Sequence, residues 1–286
     1  MCGRFASARK RQELLEEFSV QRDQVAEPLK PDYNVAPTKP VYTVVDRAAR
    51  PGDEEAANTD GDASVGAPER ELRIMRWGLV PFWAKDVKIG SRMINARAET
   101  VAEKPAFRRA FARRRCLVPA DGYYEWQPMP GAAKQPMYIS RGDGRSLSFA
   151  GLYELWRDPA VSSDDEDAWL WTTTIITTSA PDELGMIHDR MPMMIDPVSW
   201  ADWLDPANND VADLKALLTP AMVSDLTTWP VSTAVNSVRN NGPQLIEPVL
   251  VGPAGPLTAV APRAGSPAAA AQAAGDRGDD GTGALF

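Results

Sequence analysis

QPMYISRGDGRSLSFAGLYELW, residues Gln135–Trp156, reads as a β-hairpin with the Gly-Asp-Gly at Gly142–Gly144 as its turn. A second stretch, WLWTTTIITT at Trp169–Thr178, is rich in β-branched residues and predicts a buried strand. Working outward, YNVAPTKPVYTVV (Tyr33–Val45) reads as a turn feeding a strand, and LRIMRWGLVPFWAKD (Leu72–Asp86) as a strand followed by a proline-interrupted aromatic loop. Residues from Ile94 to Trp126 suggest a loop, a basic helical stretch and a strand starting near Cys116. Ser7–Val20 places Leu14, Leu15 and Phe18 at helical spacing with Ser7 as N-cap, and Asp196 caps a helix with Pro197 at its first position. Strands in hairpins, rather than alternating βαβ units, make the fold class α+β.

A chain of 286 residues with 44% apolar content is large enough for one substantial core. No apolar run reaches membrane-spanning length and no signal peptide precedes the first helix, so the chain is expected in a reducing compartment. Two cysteines, Cys2 and Cys116, make neither a disulfide framework nor a CxxC pair, and one histidine, His188, argues against a structural zinc site. The net charge of −8 is unevenly spread. Residues 46–70 carry seven acids and three bases, residues 157–168 five acids and one base, and residues 251–286 three acids and two bases. The remainder is near +1, so the folded body retains room for a basic face. Residues 46–70 are read as a disordered acidic insertion and 251–286 as a disordered Ala/Gly/Pro-rich tail, leaving one domain over residues 1–250.

MCGRFA at the start places a cysteine directly behind the initiator methionine. With Met1 removed, Cys2 carries an α-amine and a thiol on adjacent carbons. The amine can serve as base while the thiol attacks an acyl carbon. Alternatively, the amine condenses with an aldehyde and the thiol closes a five-membered thiazolidine. An α-amine suits condensation because its pKa of about 7.7–8.0 leaves much of it unprotonated near neutrality, whereas lysine sits at about 10.4. INARAET contributes Asn95, Arg97 and Glu99, and IHDRMP sets His188 and Arg190 beside a proline. PADGYYEW places Glu125 between aromatics at a strand end, where burial raises a carboxyl toward acid–base use. Each also has a plain structural reading, as a turn residue, a surface ion pair or a satisfied loop histidine.

MCGRFA, YNVAPT, INARAET, CLVPADGYYEW and IHDRMP, in this order, resemble the SRAP family, the SOS response-associated peptidase domain proteins. The likeness spans about Met1 to Leu250. It implies a single domain built on antiparallel, barrel-like sheet flanked by helices. The implied activity is the sensing and shielding of abasic sites in single-stranded DNA, through a covalent thiazolidine cross-link at Cys2. Autoproteolytic, cysteine-peptidase-like removal of Met1 and a lyase activity accompany it. The implied catalytic set is Cys2, Asn95, Glu125 and His188. The implied DNA-binding set is Arg4, Asn34, Pro37, Trp83, Arg97, Arg190 and Met191, with Phe82 standing where the aromatic loop usually has a tryptophan. Ser237 stands where an Asn is usual. No cofactor or metal is implied. The expected partner is single-stranded DNA bearing abasic sites, with replication-fork proteins as candidates, and the protein is expected to be a cytoplasmic monomer that joins the nucleoid on damage. The alternatives are an N-terminal-nucleophile hydrolase of peptidase or glutamine amidotransferase type, and a plain single-strand-binding module. The five arginines of AFRRAFARRRC (Ala106–Cys116) are left between a DNA-facing and a solvated helix face.

Overall fold

The computed structural model describes residues 2–47, 68–162, 168–219, 225–252 and 255–259. In chain order, β1 is Phe5–Ser7, α1 Arg11–Glu17, β2 Arg22–Asp23, β3 Asp32–Val35, β4 Pro40–Arg47, β5 Glu69–Trp77 and β6 Asn95–Arg97. Then follow α2 Arg108–Arg113, β7 Arg115–Ala120, β8 Gly122–Gln127, β9 Gln135–Arg141, β10 Leu147–Arg157 and β11 Trp169–Ser179. The chain continues with α3 Asp182–Gly185, β12 Arg190–Pro192, α4 Trp200–Leu204, α5 Val211–Ala216, β13 Leu226–Pro230, β14 Val249–Gly252 and β15 Gly255–Ala259.

The fold is α+β, with a barrel at its centre. Strands β11, β10, β7, β4 and β5 run in that order, and β5 returns to β11 through Arg76↔Thr172 and Trp77↔Thr173, closing a five-stranded ring. The other contacts of the ring are antiparallel, and this closing one is parallel. A second sheet, in the order β13-β9-β8-β1-β3, packs against the barrel. The barrel strands are buried on both faces, as VYTVV and CLVPA require. Val41, Val45, Cys116, Val118 and Phe149 pack with Cys2, Phe5 and Tyr123 of the second sheet's side. The alternate residues Tyr42, Val44, Leu117 and Leu152 pack under the helices, with Phe18, Phe111, Trp200 and Trp203. Phe18 stacks on Trp200 at 4.6 Å, and the Trp203 indole donates to the Cys116 carbonyl at 2.9 Å.

Several expectations need correction. Gln135–Trp156 is not a hairpin: β9 pairs with β8 and β13, whereas β10 pairs with β7 and β11, so the chain crosses between sheets at Gly142–Ser146. Asp143 makes this connection self-sufficient by accepting from Arg141 Nε (2.8 Å) and Arg145 N (3.0 Å). Glu17 fixes its far end through Ser146 N and Oγ (2.9 and 2.6 Å). Ser7 is not a helix cap but ends β1, and α1 starts after Lys10, whose N–H donates to Glu13 at 3.1 Å. Asp196 does cap its turn, accepting from Val198 N at 3.0 Å. The acidic insertion is shorter than residues 46–70, because β4 runs to Arg47, β5 begins at Glu69, and Arg70 pairs with Asp46 across them at 2.9 Å. Its centre, residues 48–67, lies outside the described residues. Strands β14 and β15 pair antiparallel past the domain boundary drawn at Leu250, and residues 260–286 lie outside the described residues.

A close backbone approach sets the base of the aromatic loop. Gly78 has φ +121°, and a Cβ there would lie 2.6 Å from the Gly90 carbonyl oxygen. A Cβ on Gly90 would lie 2.5 Å from the Gly78 oxygen. Only glycines permit this contact, which supports the Leu79 N to Met93 O hydrogen bond of 3.1 Å. Gly90→Ala is therefore expected to lower unfolding free energy by about 1–3 kcal/mol in urea titrations, as overpacking does. An unchanged midpoint would show that the two backbones are not in contact.

Candidate functional site

Strand β11 gathers two of the sequence motifs. Its edge beyond β5 carries β6 in parallel, Ile175↔Asn95 to Thr177↔Arg97, and its other edge, beyond β10, carries β12, Thr177↔Pro192 to Ser179↔Arg190. Asn95 and Arg190 are thus held on either side of one strand end, with His188 just before β12. The third motif arrives through β8, whose Tyr123 pairs with Phe5 and whose Tyr124 N–H donates to the Arg4 carbonyl at 3.0 Å. This register brings the start of the chain and Glu125 together.

Cys2 is fully buried, and Asn95 Nδ2 donates to its carbonyl at 2.8 Å. Asn95 Oδ1 is buried with no hydrogen-bond partner among the described residues. Burial and the Glu125 charge push the Cys2 thiol well above its ordinary range, holding it as a thiol. Glu125 is 4% exposed, and its carboxyl is pushed up to about 7 by burial, against the lowering influence of the chain's amino-terminal charge. His188 is shifted the other way: burial lowers its pKa, helped by the amino-terminal charge, while Asp189 opposes.

Two groups compete for the same nitrogen of His188. Nδ1 accepts the Arg190 N–H at 2.9 Å and lies 2.9 Å from Asp189 Oδ1. Only a protonated Nδ1 would gain from the carboxylate, and the Asp189 side chain is largely in solvent, where such a pair contributes little. The amide contact and the lowered pKa together assign a neutral ring with its proton on Nε2. Glu125 thus acts on the Cys2 thiol, Asn95 is joined to Cys2 by a hydrogen bond, and Glu125 and His188 both feel the amino-terminal charge.

The expected DNA-binding residues divide. Phe82 and Trp83, 52% and 50% exposed, stand out from the loop after β5. Trp156 anchors that loop by donating to Ala84 O at 2.7 Å, and Arg109 lies 4.6 Å from the Phe82 ring centre. Arg97 is exposed. Pro37 is half-buried in a turn closed by Lys39 N to Ala36 O (3.3 Å), where Thr38 takes φ +75°, a strained value for a β-branched residue. Arg4 is already engaged, with Nη1 on Asn34 Oδ1 (2.7 Å) and Val235 O (2.9 Å) and its guanidinium 5.8 Å from the Trp126 ring centre.

Two of the side chains expected at DNA are buried. Asn34 is fully buried, and its amide nitrogen is spent on the carbonyls of Val235, Ser237 and Asn240, so it holds the 235–240 segment in place. Met191 is buried in the core beside Cys2 and Ile187. The arginine run divides as well. Arg115 is buried and clamps the carbonyls of Trp203 and Asn208 (2.7 and 3.0 Å), Arg114 pairs with Glu154, and Arg108, Arg109 and Arg113 are exposed. Sequence reasoning missed Lys134, whose charge acts on both Glu125 and His188. It is an exposed lysine at the end of a Pro-, Gly- and Ala-rich loop, with no local signal. Among the described residues, no group of three or more His, Cys, Asp or Glu side chains is placed to hold a metal, and no helix is long and apolar enough to cross a membrane.

The raised carboxyl has a consequence for stability. Glu125 binds its proton more tightly folded than unfolded, so its contribution is fully present below pH 4.5 and is lost as pH rises through about 7. Relative to Glu125→Gln, the wild type is expected to lose about 1–3 kcal/mol across that window, read as diverging urea midpoints. Parallel midpoints in the two proteins would place the carboxyl pKa at its ordinary value.

The SOS response associated peptidase (SRAP) family matches residues 1–238. The chain is 39% identical over 247 residues to the abasic site processing protein YoqW of Bacillus subtilis (strain 168), covering 86% of this chain and 99% of that protein. It is 33% identical over 247 residues to the abasic site processing protein HMCES of Gallus gallus, covering 78% of this chain and 68% of that protein. A crystal structure of a Bacteroides thetaiotaomicron protein superposes with a TM-score of 0.67 at 26% identity, covering 87% of this chain and all of that one. The chain belongs to the SOS response associated peptidase (SRAP) family.

Proposed function

We propose that this protein captures abasic sites in single-stranded DNA through Cys2, after Met1 has been removed. The observation that carries the reading is a buried Cys2 whose carbonyl is held by Asn95, beside a carboxyl with a pKa near 7. The names of the relatives, abasic site processing proteins, point the same way.

An abasic site is an aldehyde in equilibrium with its cyclic hemiacetal. Protonated Glu125, or the Nε2–H of neutral His188, assists ring opening by donating to the ring oxygen as its bond to C1′ breaks, while the C1′ hydroxyl loses its proton to water and becomes the carbonyl. The unprotonated α-amine adds to the aldehyde, and loss of water gives an imine. The Cys2 sulfur then adds to the imine carbon while its proton passes to nitrogen, closing the thiazolidine. The Glu125 carboxylate can relay that proton from sulfur to nitrogen, as a group with pKa near ambient pH does best. Asn95 would orient the residue through its carbonyl, and its unpartnered Oδ1 would offer an acceptor to the amine or a sugar hydroxyl. Self-removal of Met1 and β-elimination at the imine are further activities this site would support. Phe82 and Trp83 would stack on bases flanking the lesion. Arg97 would meet backbone phosphate, for which arginine suits better than lysine because it does not compete as an amine.

Mixing the protein with abasic single-stranded DNA and resolving it on a denaturing gel tests the chemistry. The wild type should give a heat-resistant adduct without reductant. Cys2→Ala retains an α-amine and should give an adduct only when borohydride traps the imine, with strand cleavage otherwise. An equally stable, unreduced adduct from Cys2→Ala would assign the nucleophile elsewhere. Glu125→Gln and His188→Ala should slow adduct formation by about 10²–10⁴-fold with single-strand affinity retained. A proportional loss of binding would reassign either residue to the DNA interface.

A further inference from the structure

One ion pair beside the site has no part in the chemistry above. Arg190 sends Nη1 and Nη2 to the two oxygens of Glu99, at 2.5 and 3.0 Å, a bidentate fork. Nη2 also reaches Thr177 O and Oγ1, at 2.5 and 3.3 Å, which ties the guanidinium to β11. The arginine side chain is only 13% exposed, whereas that of Glu99 is 48% exposed. The protein thus fixes the cation from within and leaves the carboxylate as the movable partner. Arg97, exposed two residues before Glu99, acts on the same carboxylate. A carboxylate presents to a guanidinium the same pair of oxygens that a backbone phosphate does.

We propose that Glu99 is an intramolecular stand-in for a DNA phosphate, occupying the Arg190 fork in the unbound protein and displaced when a single strand docks. This rests on the reading of the site as a single-strand binder. Glu99 keeps the arginine extended at its post, so its rotamer is already chosen when the strand arrives. It also lowers affinity for strands that offer only a backbone, and so favours lesions that go on to form a covalent bond. A half-exposed pair contributes little in water, so displacement should cost only about two- to fivefold in affinity.

The test is the salt dependence of binding to an undamaged single-stranded oligonucleotide. Glu99→Gln should bind about two- to fivefold tighter than wild type at low salt. Its logarithmic salt slope should match that of wild type, because Arg190 meets phosphate in both once Glu99 is displaced, whereas Arg190→Ala should flatten the slope by about 0.7. Glu99→Asp, which keeps the charge, should stay near wild type. In an Arg190→Ala background, or Arg190→Gln if the alanine variant does not fold, Glu99→Gln should bring no gain. Weaker or unchanged binding by Glu99→Gln would make Glu99 a mere brace for Arg190. A gain that persists without Arg190 would reduce the effect to long-range charge, and either result overturns the proposal. Capture of abasic DNA is scored separately: its failure, with the binding cycle intact, would remove the proposed reaction and leave the stand-in role in place.

Discussion

Two residue pairs, Arg76 with Thr172 and Trp77 with Thr173, close the barrel by a parallel contact, and the placement of Cys2 follows from that closure. With β5 ending against β11, Gly78 N–H donates to Thr173 O at 2.7 Å and the chain turns away. The Trp77 indole then holds Ile94 O at 2.9 Å, which starts β6 along the stretch of β11 that β5 has left free. Asn95 is the first residue of β6, and it holds the Cys2 carbonyl. A residue at the very start of a chain would ordinarily fray. Here the first strand lies between β8 and β3, and the nucleophile candidate is locked before the first turn of helix begins.

One physical cause accounts for the electrostatics of the site. Burial disfavours charge of either sign, so it raises Glu125 and the Cys2 thiol and lowers His188. All three are pushed toward their neutral forms. That is the opposite of a cysteine protease, where a neighbouring imidazolium stabilises a thiolate. In the proposed reaction a neutral site is an advantage, because the amine must be unprotonated to attack and an acid must be present to open the sugar. Sulfur needs no thiolate to begin with, since it attacks an imine held one bond from its own α-carbon, where proximity replaces intrinsic nucleophilicity.

The local vocabulary of the sequence was legible where the cause is local. The Asp196–Pro197 cap, the buried β11, the proline-interrupted loop after β5 and the raised Glu125 all follow from neighbours in sequence or from composition. What failed depended on distant partners. Gln135–Trp156 looks like a hairpin because its turn signal is real, yet each of its strands finds a better edge elsewhere. The closing β5–β11 pair joins residues nearly a hundred positions apart and leaves no periodic trace. Asn34 and Met191, which the resemblance named as DNA contacts, are buried side chains, and nothing adjacent in sequence marks that burial. Arg115 shows the same limit: adjacent to four other arginines in sequence, it alone is buried, because its strand faces the α4 carbonyls.

How a chain of net charge −8 could hold a polyanion, as the proposed function requires, is then a matter of where charge is free to act. Arg4 is bound to Asn34 and a carbonyl, Arg114 to Glu154, and Arg190 to Glu99, so several cations near the folded core are compensated within the protein. The features left open to a strand are mainly the aromatic loop and the exposed arginines such as Arg97. Stacking accepts any base and is insensitive to salt, whereas phosphate contacts set most of the non-specific affinity. In the proposed function, a surface weighted toward the first and restrained in the second would hold intact strands loosely. Tight retention would then depend on the buried end of the site, where only a strand that exposes an aldehyde can make a bond.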